Sequence, residues 1–417
     1  MDQRSVVTGF LRNDGDVLLL QRSEDVGSYR GKWAAVSGYA EGDPDSQIER
    51  EIREETGLDP ESDCQLLTAG DPFEVVDEDL GRTWRIHPYL FDCTHRAVQT
   101  DWESTEFEWV SPTKILDRET VPDLWRSYDR VRPTVVTVAS DSTHGSAYIS
   151  LRALEVLRDE AALLARGRES EYDSVEAVGS ELLAARPAMT VVRNRVNRVL
   201  SKGSTVEPAE VESNARDAIK SAIEADRGAA TTLGAAITDK RVATLSRSGT
   251  VLAAIDEGEP GAVLLAESRP GSEGTEVAEQ LSSELDVTLT SDAAFPHTLV
   301  EWEADCFVVG ADTVFSDGCL INKVGTRPGA LSATDADVPV LVGTATDKIS
   351  HERTIDLEER AASELYDGTA PITVENPTFD LTPPSAIDQF VTERGSFDPG
   401  EIESLAAEHE QRAGWQE

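Results

Sequence analysis

Cationic side chains are scarce in this chain. Lys plus Arg number 38 against 79 Asp plus Glu in 417 residues, which leaves a net charge of −41. Such a surface repels polyanions, so a broad basic footprint for nucleic acid or an anionic membrane is excluded. Cysteine is also sparse. Cys64, Cys93, Cys306 and Cys319 include no C-x-x-C pair, which argues against a zinc site and against a disulfide framework. No apolar run approaches the ~18 residues that a membrane-spanning helix needs. Met1-Asp2-Gln3-Arg4 leads straight into a strand pattern, without the apolar stretch of a signal peptide. The expectation is a cytoplasmic protein with no membrane partner and no direct nucleic-acid partner.

What is present suffices for a core, because 39% of the residues are hydrophobic. At about 150 residues per domain the length fits two or three domains. The acidic residues are interleaved with apolar periodicity throughout rather than gathered into a tail. Acidic charge spread in this way suits a high-salt cytoplasm, where about 1 M salt screens repulsion within a few ångströms.

The most informative stretch is Arg50-Glu51-Ile52-Arg53-Glu54-Glu55-Thr56-Gly57-Leu58. Its pattern predicts the end of a helix. Glu51, Glu54 and Glu55 stand at i, i+3 and i+4 and share one face, while Ile48 and Ile52 share another. Gly57 sits where a left-handed C-terminal cap belongs, and Leu58 can turn back onto the helix. Carboxylates crowded in this way need a cation. Hard oxygen ligands suit Mg²⁺ or Mn²⁺, which bridge to substrate phosphates.

Upstream, 6–11 and 17–20 read as strands joined by a hairpin turn at Asn13-Asp14-Gly15-Asp16. Gly31-Lys32-Trp33 runs into a Gly-rich loop. The ordered set Arg, Glu, aliphatic, any, Glu, Glu, any, Gly, aliphatic resembles the second half of the Nudix box, so 1–130 resembles a Nudix hydrolase domain. The first half departs from the usual spacing. The positions that normally hold its Gly and Glu hold Val36 and Gly42, and Gly38 and Glu41 take their place. The resemblance implies an α/β/α sandwich that cleaves nucleoside diphosphates linked to another group. It implies Glu51, Glu54 and Glu55 as metal ligands, with Glu54, Glu55, Glu103 and Arg50 as the catalytic set. Glu103 or Glu54 would orient the attacking water, Arg50 would pair with the helix glutamates, and Lys32 and Arg22 would meet substrate.

A linker over 131–145 separates this domain from Ala- and Leu-rich sequence. Within it, 134–139 is a short β-branched run. The spans 148–166, 175–185, 190–200 and 207–228 show 3.6-residue periodicity and predict a helical subdomain over 146–230. Over 231–400, short apolar runs at 242–245, 262–266, 287–289, 307–310 and 338–342 alternate with helical stretches. That pattern predicts α/β architecture with a doubly wound parallel sheet, in which ligands bind at strand C-termini. A helix is expected at 357–366, and 401–417 reads as a frayed helical tail.

Three clusters fall at those strand ends: Thr244-Leu245-Ser246, Glu267-Ser268-Arg269-Pro270, and Gly310-Ala311-Asp312 continuing to Asn322-Lys323-Val324-Gly325-Thr326. Their order resembles the family of the initiation factor 2B alpha, beta and delta subunits, which shares its fold with methylthioribose-1-phosphate and ribose-1,5-bisphosphate isomerases. The resemblance implies a sugar phosphate or nucleotide bound by Ser246, Arg269, Asp312, Asn322 and Lys323, and a homo-oligomer. The isomerases carry a Cys where this chain has Ser246. Serine ionises too weakly to replace a thiolate in proton transfer. The expected function is therefore a Mg²⁺-dependent Nudix hydrolase with a C-terminal sugar-phosphate or nucleotide-binding domain. The alternatives are an initiation-factor-like regulatory subunit and an isomerase, the latter open to rescue by Cys319 if the fold brings it to the sugar.

Overall fold

A computed structural model of the chain describes residues 2–201 and 207–416. Met1, 202–206 within the expected helical subdomain, and Glu417 of the expected tail lie outside the described residues. The chain forms two compact units. Unit 1 contains Met1–Thr134, Glu155–Val175 and Glu207–Lys220; unit 2 contains Val135–Leu154, Glu176–Val206 and Ser221–Glu417.

Unit 1 is built on a mixed sheet. Strands Asp2–Asn13 and Arg82–Cys93 run parallel at its centre, from Asp2 opposite Arg82 to Arg12 opposite Asp92. Asp16–Arg22 returns antiparallel through a turn in which Asp14 and Gly15 both have positive φ, 53° and 79°. That geometry matches the twist of a two-residue hairpin. Strand periodicity then divides the side chains. Val7, Leu11, Leu18 and Leu20 point to one face, and Phe10, Val17 and Leu19 to the other. Helix Pro44–Thr56 covers the first face through Ile48 and Ile52. Ile115, Leu124 and Tyr128 cover the second. The result is the expected sandwich.

The chain first leaves unit 1 after Thr134, within the 131–145 stretch, but later returns to it. Residues 155–175 and 207–220 belong with unit 1, and buried charge explains the first of these. Arg12 bonds Asp92 at 2.6 Å and Glu155 at 3.1 Å. Arg158 donates to Asp159 at 2.8 Å, to the Gly15 carbonyl at 2.8 Å and to the Tyr128 hydroxyl at 3.3 Å. Arg132 bonds Glu160 at 2.7 Å. All of these groups but Asp92 are buried, so each is costly to leave without its partner.

Unit 2 carries a seven-stranded sheet. Its order is Val287–Thr290, Ala262–Ala266, Arg241–Leu245, Cys306–Val309, Val340–Gly343, Gln389–Thr392, Gly395–Phe397. The first six strands are parallel and the last is antiparallel. Both faces are covered, one by residues such as Phe295, Ala330 and Leu405, the other by Leu233, Val251 and Val277. This is the expected doubly wound arrangement. Helices Val175–Ala185, Thr190–Leu200 and Pro208–Ile237 match the periodic stretches.

Two local expectations are corrected, at 357–366 and in the tail, and the linker holds a helix to which the sequence reading assigned no structure. The β-branched run at 134–139 forms helix Val135–Ser140, whose end is held by Arg186 donating to the Val138 carbonyl at 2.8 Å and to the Asp141 carbonyl. The stretch 357–366 is mostly irregular, with one short turn at Ala362–Glu364. Its backbone pairs instead with 376–378, through Arg360 N to Asn376 O at 2.9 Å and Thr378 N to Leu357 O at 3.0 Å. The tail is not frayed through 402–412: helix Ile402–Arg412 buries Ile402, Leu405, Ala406 and His409.

Candidate functional site

The acidic site of unit 1 grows out of helix Pro44–Thr56. Asp43 caps its start by accepting from Ser46 N at 3.2 Å. Gly57, at φ 72°, ends it by donating to the Arg53 carbonyl at 3.1 Å. Ile48, Ile52 and Leu58 are buried against the sheet. Their anchoring fixes the rotation of the helix and presents the glutamate face.

On that face Glu55 is buried and accepts from Ser37 N at 3.3 Å. Burial pushes its carboxyl well above the usual range, and the charges of Glu51 and Glu103 push further. Glu51 is half-buried and accepts from the Gln47 amide at 2.5 Å. Burial raises it too, with Glu54 and Glu103 adding to the effect. Glu103, just before strand Ser104–Val110, is held by its carbonyl accepting from Ser23 N at 2.7 Å. Burial and Asp101 raise its carboxyl, and Glu54 adds. Arg22 is the opposing charge beside Glu55 and Glu103. Gly38 completes the site: a Cβ there would lie 1.8 Å from Glu51 Oε1, so a larger residue would displace the Glu51 carboxylate.

The structure thus brings Glu51, Glu54, Glu55, Glu103 and Arg22 together. Arg50 departs from expectation. Its guanidinium donates to the Gln47 side-chain oxygen rather than to a glutamate, and its charge acts on Glu51, which Gln47 also holds. Lys32 stands within electrostatic reach of Asp77. Gln47 and Ser37 escaped sequence reading. Gln47 was legible as the residue four before Glu51 on the same helix face.

The donors suit a hard divalent ion. They are carboxylate oxygens whose burial and mutual repulsion raise Glu51, Glu55 and Glu103 and favour a positive charge among them. As placed, no three His, Cys, Asp or Glu side chains among the described residues converge closely enough to hold a metal ion.

In unit 2, strands Arg241–Leu245 and Cys306–Val309 are neighbours whose onward connections run to opposite sides of the sheet. Their C-terminal ends form the switch point where ligands bind in such sheets. Asp312 lies there, its N–H bonded to the Ile321 carbonyl at 3.0 Å. Ser146 Oγ donates to its Oδ1 at 3.5 Å. Burial pushes its carboxyl up, against the pull of Lys348, Ser146 and Lys323. Buried Lys348 donates to the Ala311 carbonyl at 2.7 Å, and burial pushes its ammonium down. Lys323 pairs with Glu273 at 2.8 Å.

Asn322, by contrast, is engaged in a buried bond to Thr326 at 2.9 Å. Arg269 is 65% exposed, with Glu267 at 3.4 Å. Ser246, at φ 60°, uses its N–H on the Ser268 hydroxyl at 2.6 Å. Cys319 packs with Phe315 and Ile321 and sits 3.7 Å from Arg353. Lys348 and Ser146 were missed as site residues. Lys348 follows strand Val340–Gly343 closely, and a cation at a strand end in so acidic a chain was the available signal.

The sequence pattern of the initiation factor 2 subunit family matches residues 142–399. The chain belongs to this family. A NUDIX domain matches residues 2–131 and marks the N-terminal part of this family member as a hydrolase. The chain is 31% identical to the ribose 1,5-bisphosphate isomerase of Methanocaldococcus jannaschii, over 65% of its own length and 92% of the relative's. It is also 31% identical to the ribose 1,5-bisphosphate isomerase of Haloterrigena turkmenica, over 67% of its length and 94% of the relative's. The translation initiation factor eIF-2B structure from Pyrococcus horikoshii OT3 superposes with a TM-score of 0.54 at 25% identity, covering 64% of this chain and 95% of that one.

Proposed function

We propose that the NUDIX domain is a Mg²⁺- or Mn²⁺-dependent hydrolase of a nucleoside diphosphate linked to a second group, and that the C-terminal domain binds a sugar phosphate or nucleotide without isomerising it. The acidic face carrying Glu51, Glu54 and Glu55, with Glu103 beside it, is the observation that carries this reading. Those three helix glutamates would hold the divalent ion, which when bound neutralises the diphosphate and acidifies water. Glu55 is held in place by burial and by the Ser37 N–H. Glu103, whose carboxyl is raised, accepts the proton of the attacking water. Arg22 meets the substrate phosphate. Arg50 positions Glu51 through Gln47.

The test is hydrolysis of a panel of nucleoside diphosphate sugars and dinucleotides with Mg²⁺. Turnover is expected for at least one member, falling about 100-fold or more in Glu55→Gln. No turnover of any member, or undiminished turnover by the variant, contradicts the assignment.

A second reading, isomerisation of ribose 1,5-bisphosphate, is favoured by the activity named for two relatives and by the enclosed Asp312 carboxyl. Ser246 in the thiol's place opposes it. Ketose formation from that substrate by the full chain would establish it.

A further inference from the structure

Of the four cysteines in the chain, two stand face to face. Strands Cys64–Ala69 and Arg82–Cys93 of unit 1 pair antiparallel, with Cys64 directly opposite Cys93. Their Sγ atoms lie 2.9 Å apart. Neither thiol takes part in the acidic site described above.

The strand ladder sets up this approach. Thr94 N–H donates to the Asp63 carbonyl at 2.9 Å, so Asp63 and Thr94 are a hydrogen-bonded pair. Cys64 and Cys93, the next pair along, are then a non-hydrogen-bonded one. The Cys93 carbonyl accordingly faces away from Cys64 and accepts from the Asn13 side-chain amide at 2.8 Å. At such positions the Cα atoms lie about 4.5 Å apart and the side chains come close. That separation is within the roughly 4.4–6.8 Å that a disulfide spans. An S–S bond of about 2.05 Å asks each sulfur to move by less than about 0.5 Å, with the strands left in place.

Access and protonation decide which oxidant can act. The residues are only 8% and 6% exposed, which keeps bulky thiol reagents out and admits a peroxide little larger than water. The hydrogen bond with Cys64, and then burial, push the Cys93 thiol up. Cys93 therefore keeps its proton, and Cys64 is left to react first as the thiolate.

We propose that Cys64 and Cys93 are an oxidative modification site, a dithiol that hydrogen peroxide closes to an intramolecular disulfide. The Cys64 thiolate attacks one peroxide oxygen and breaks the O–O bond, giving a sulfenic acid and hydroxide. The Cys93 sulfur then displaces the sulfenic hydroxyl as water, and the S–S bond forms. The thiol protons end up on the two departing oxygens. In all, two thiols and one hydrogen peroxide become one disulfide and two waters, and the two electrons lost by sulfur reduce the peroxide. The bond fastens together chain segments that border the acidic site. Cys64 follows the 57–63 segment that leaves the glutamate helix, and Cys93 precedes the 94–103 segment that leads to Glu103. Gln99 N–H already joins these segments to the helix end, at 2.8 Å from the Thr56 carbonyl. The proposal is independent of the hydrolase assignment.

Hydrogen peroxide treatment of the folded full chain tests it, followed by denaturation, alkylation of the remaining thiols and tryptic mass mapping. Cleavage after Arg53, Arg82, Arg85 and Arg96 puts the two cysteines on separate peptides. The expected product is 54–82 joined to 86–96, two hydrogens lighter than the separate peptides and parted by dithiothreitol. Peroxide should also raise Tm by several degrees, because the closed loop restricts the unfolded chain, and should not do so in Cys93→Ser. Three results overturn the proposal. The two peptides stay separate and alkylated, both cysteines appear as sulfinic acids, or Cys64 is found joined to Cys306 or Cys319 as often as to Cys93. An equal rise of Tm in Cys93→Ser would overturn the claim that the bond braces the strands.

Discussion

Glu55 concentrates the chemistry of the acidic site in one buried carboxyl. Its pKa, with those of Glu51 and Glu103, is raised in the folded state. A raised acid stabilises the fold while it holds its proton. Its contribution is full below the ordinary carboxylate value of about 4.3 and is lost as pH rises through the raised value. Without metal, the Tm of the wild type should therefore fall toward neutral pH more steeply than that of Glu55→Gln. The comparison between the two removes the background from the net charge of −41. Mg²⁺ should restore wild-type Tm near pH 7 and have little effect near pH 4. Parallel pH profiles with and without the ion would contradict this. Gly38 offers a second test at this scale. An alanine Cβ would meet Glu51 Oε1, the far end of a flexible side chain. Gly38→Ala should keep stability within about 1 kcal/mol while displacing Glu51 and lowering turnover, measured as kcat beside the unfolding curve. Wild-type kcat in the variant would show that the close approach is dispensable.

Elements became legible where their determinants are local. Helix Pro44–Thr56 has its cap at Asp43, its apolar pair at Ile48 and Ile52, and its stop at Gly57 within one short stretch. The five main parallel strands of unit 2 were legible for the same reason, as apolar runs between turn residues. Helix Val135–Ser140 was not, because its end depends on Arg186, 46 positions beyond Ser140 in the numbering. The stretch 357–366 was misread because its backbone partners, 376–378, lie outside any local window. Residues Ile402, Leu405, Ala406 and His409 show helical spacing, so that helix was legible and only its position at the chain end suggested fraying. Lys348 beside Asp312 and Arg158 beside Gly15 are products of tertiary structure alone. The Arg158 network makes its own prediction. Arg158→Leu would take the paired guanidinium from buried Asp159, which keeps the Tyr128 hydroxyl at 3.3 Å, and the arginine donor from the Gly15 carbonyl. The expected cost is about 3–5 kcal/mol in denaturant unfolding, against near-neutral effects for surface arginines such as Arg4. A loss below about 1 kcal/mol would show that the network is not needed.

The whole molecule joins a NUDIX hydrolase domain to an initiation factor 2 subunit family domain under a strongly acidic surface. Repulsion among exposed carboxylates opposes compactness, and salt relieves it over the Debye length. Tm should rise steadily between about 0.1 and about 1 M KCl; a flat or falling Tm would show that the acidic surface is not an adaptation to salt. The central claim, that the glutamate helix exists to hold a divalent ion on a diphosphate, is tested most directly by anomalous diffraction from crystals grown with Mn²⁺. The account predicts a manganese peak bounded by Glu51, Glu54 and Glu55 that disappears in Glu55→Gln. Well-ordered wild-type crystals with no peak at those side chains would contradict it.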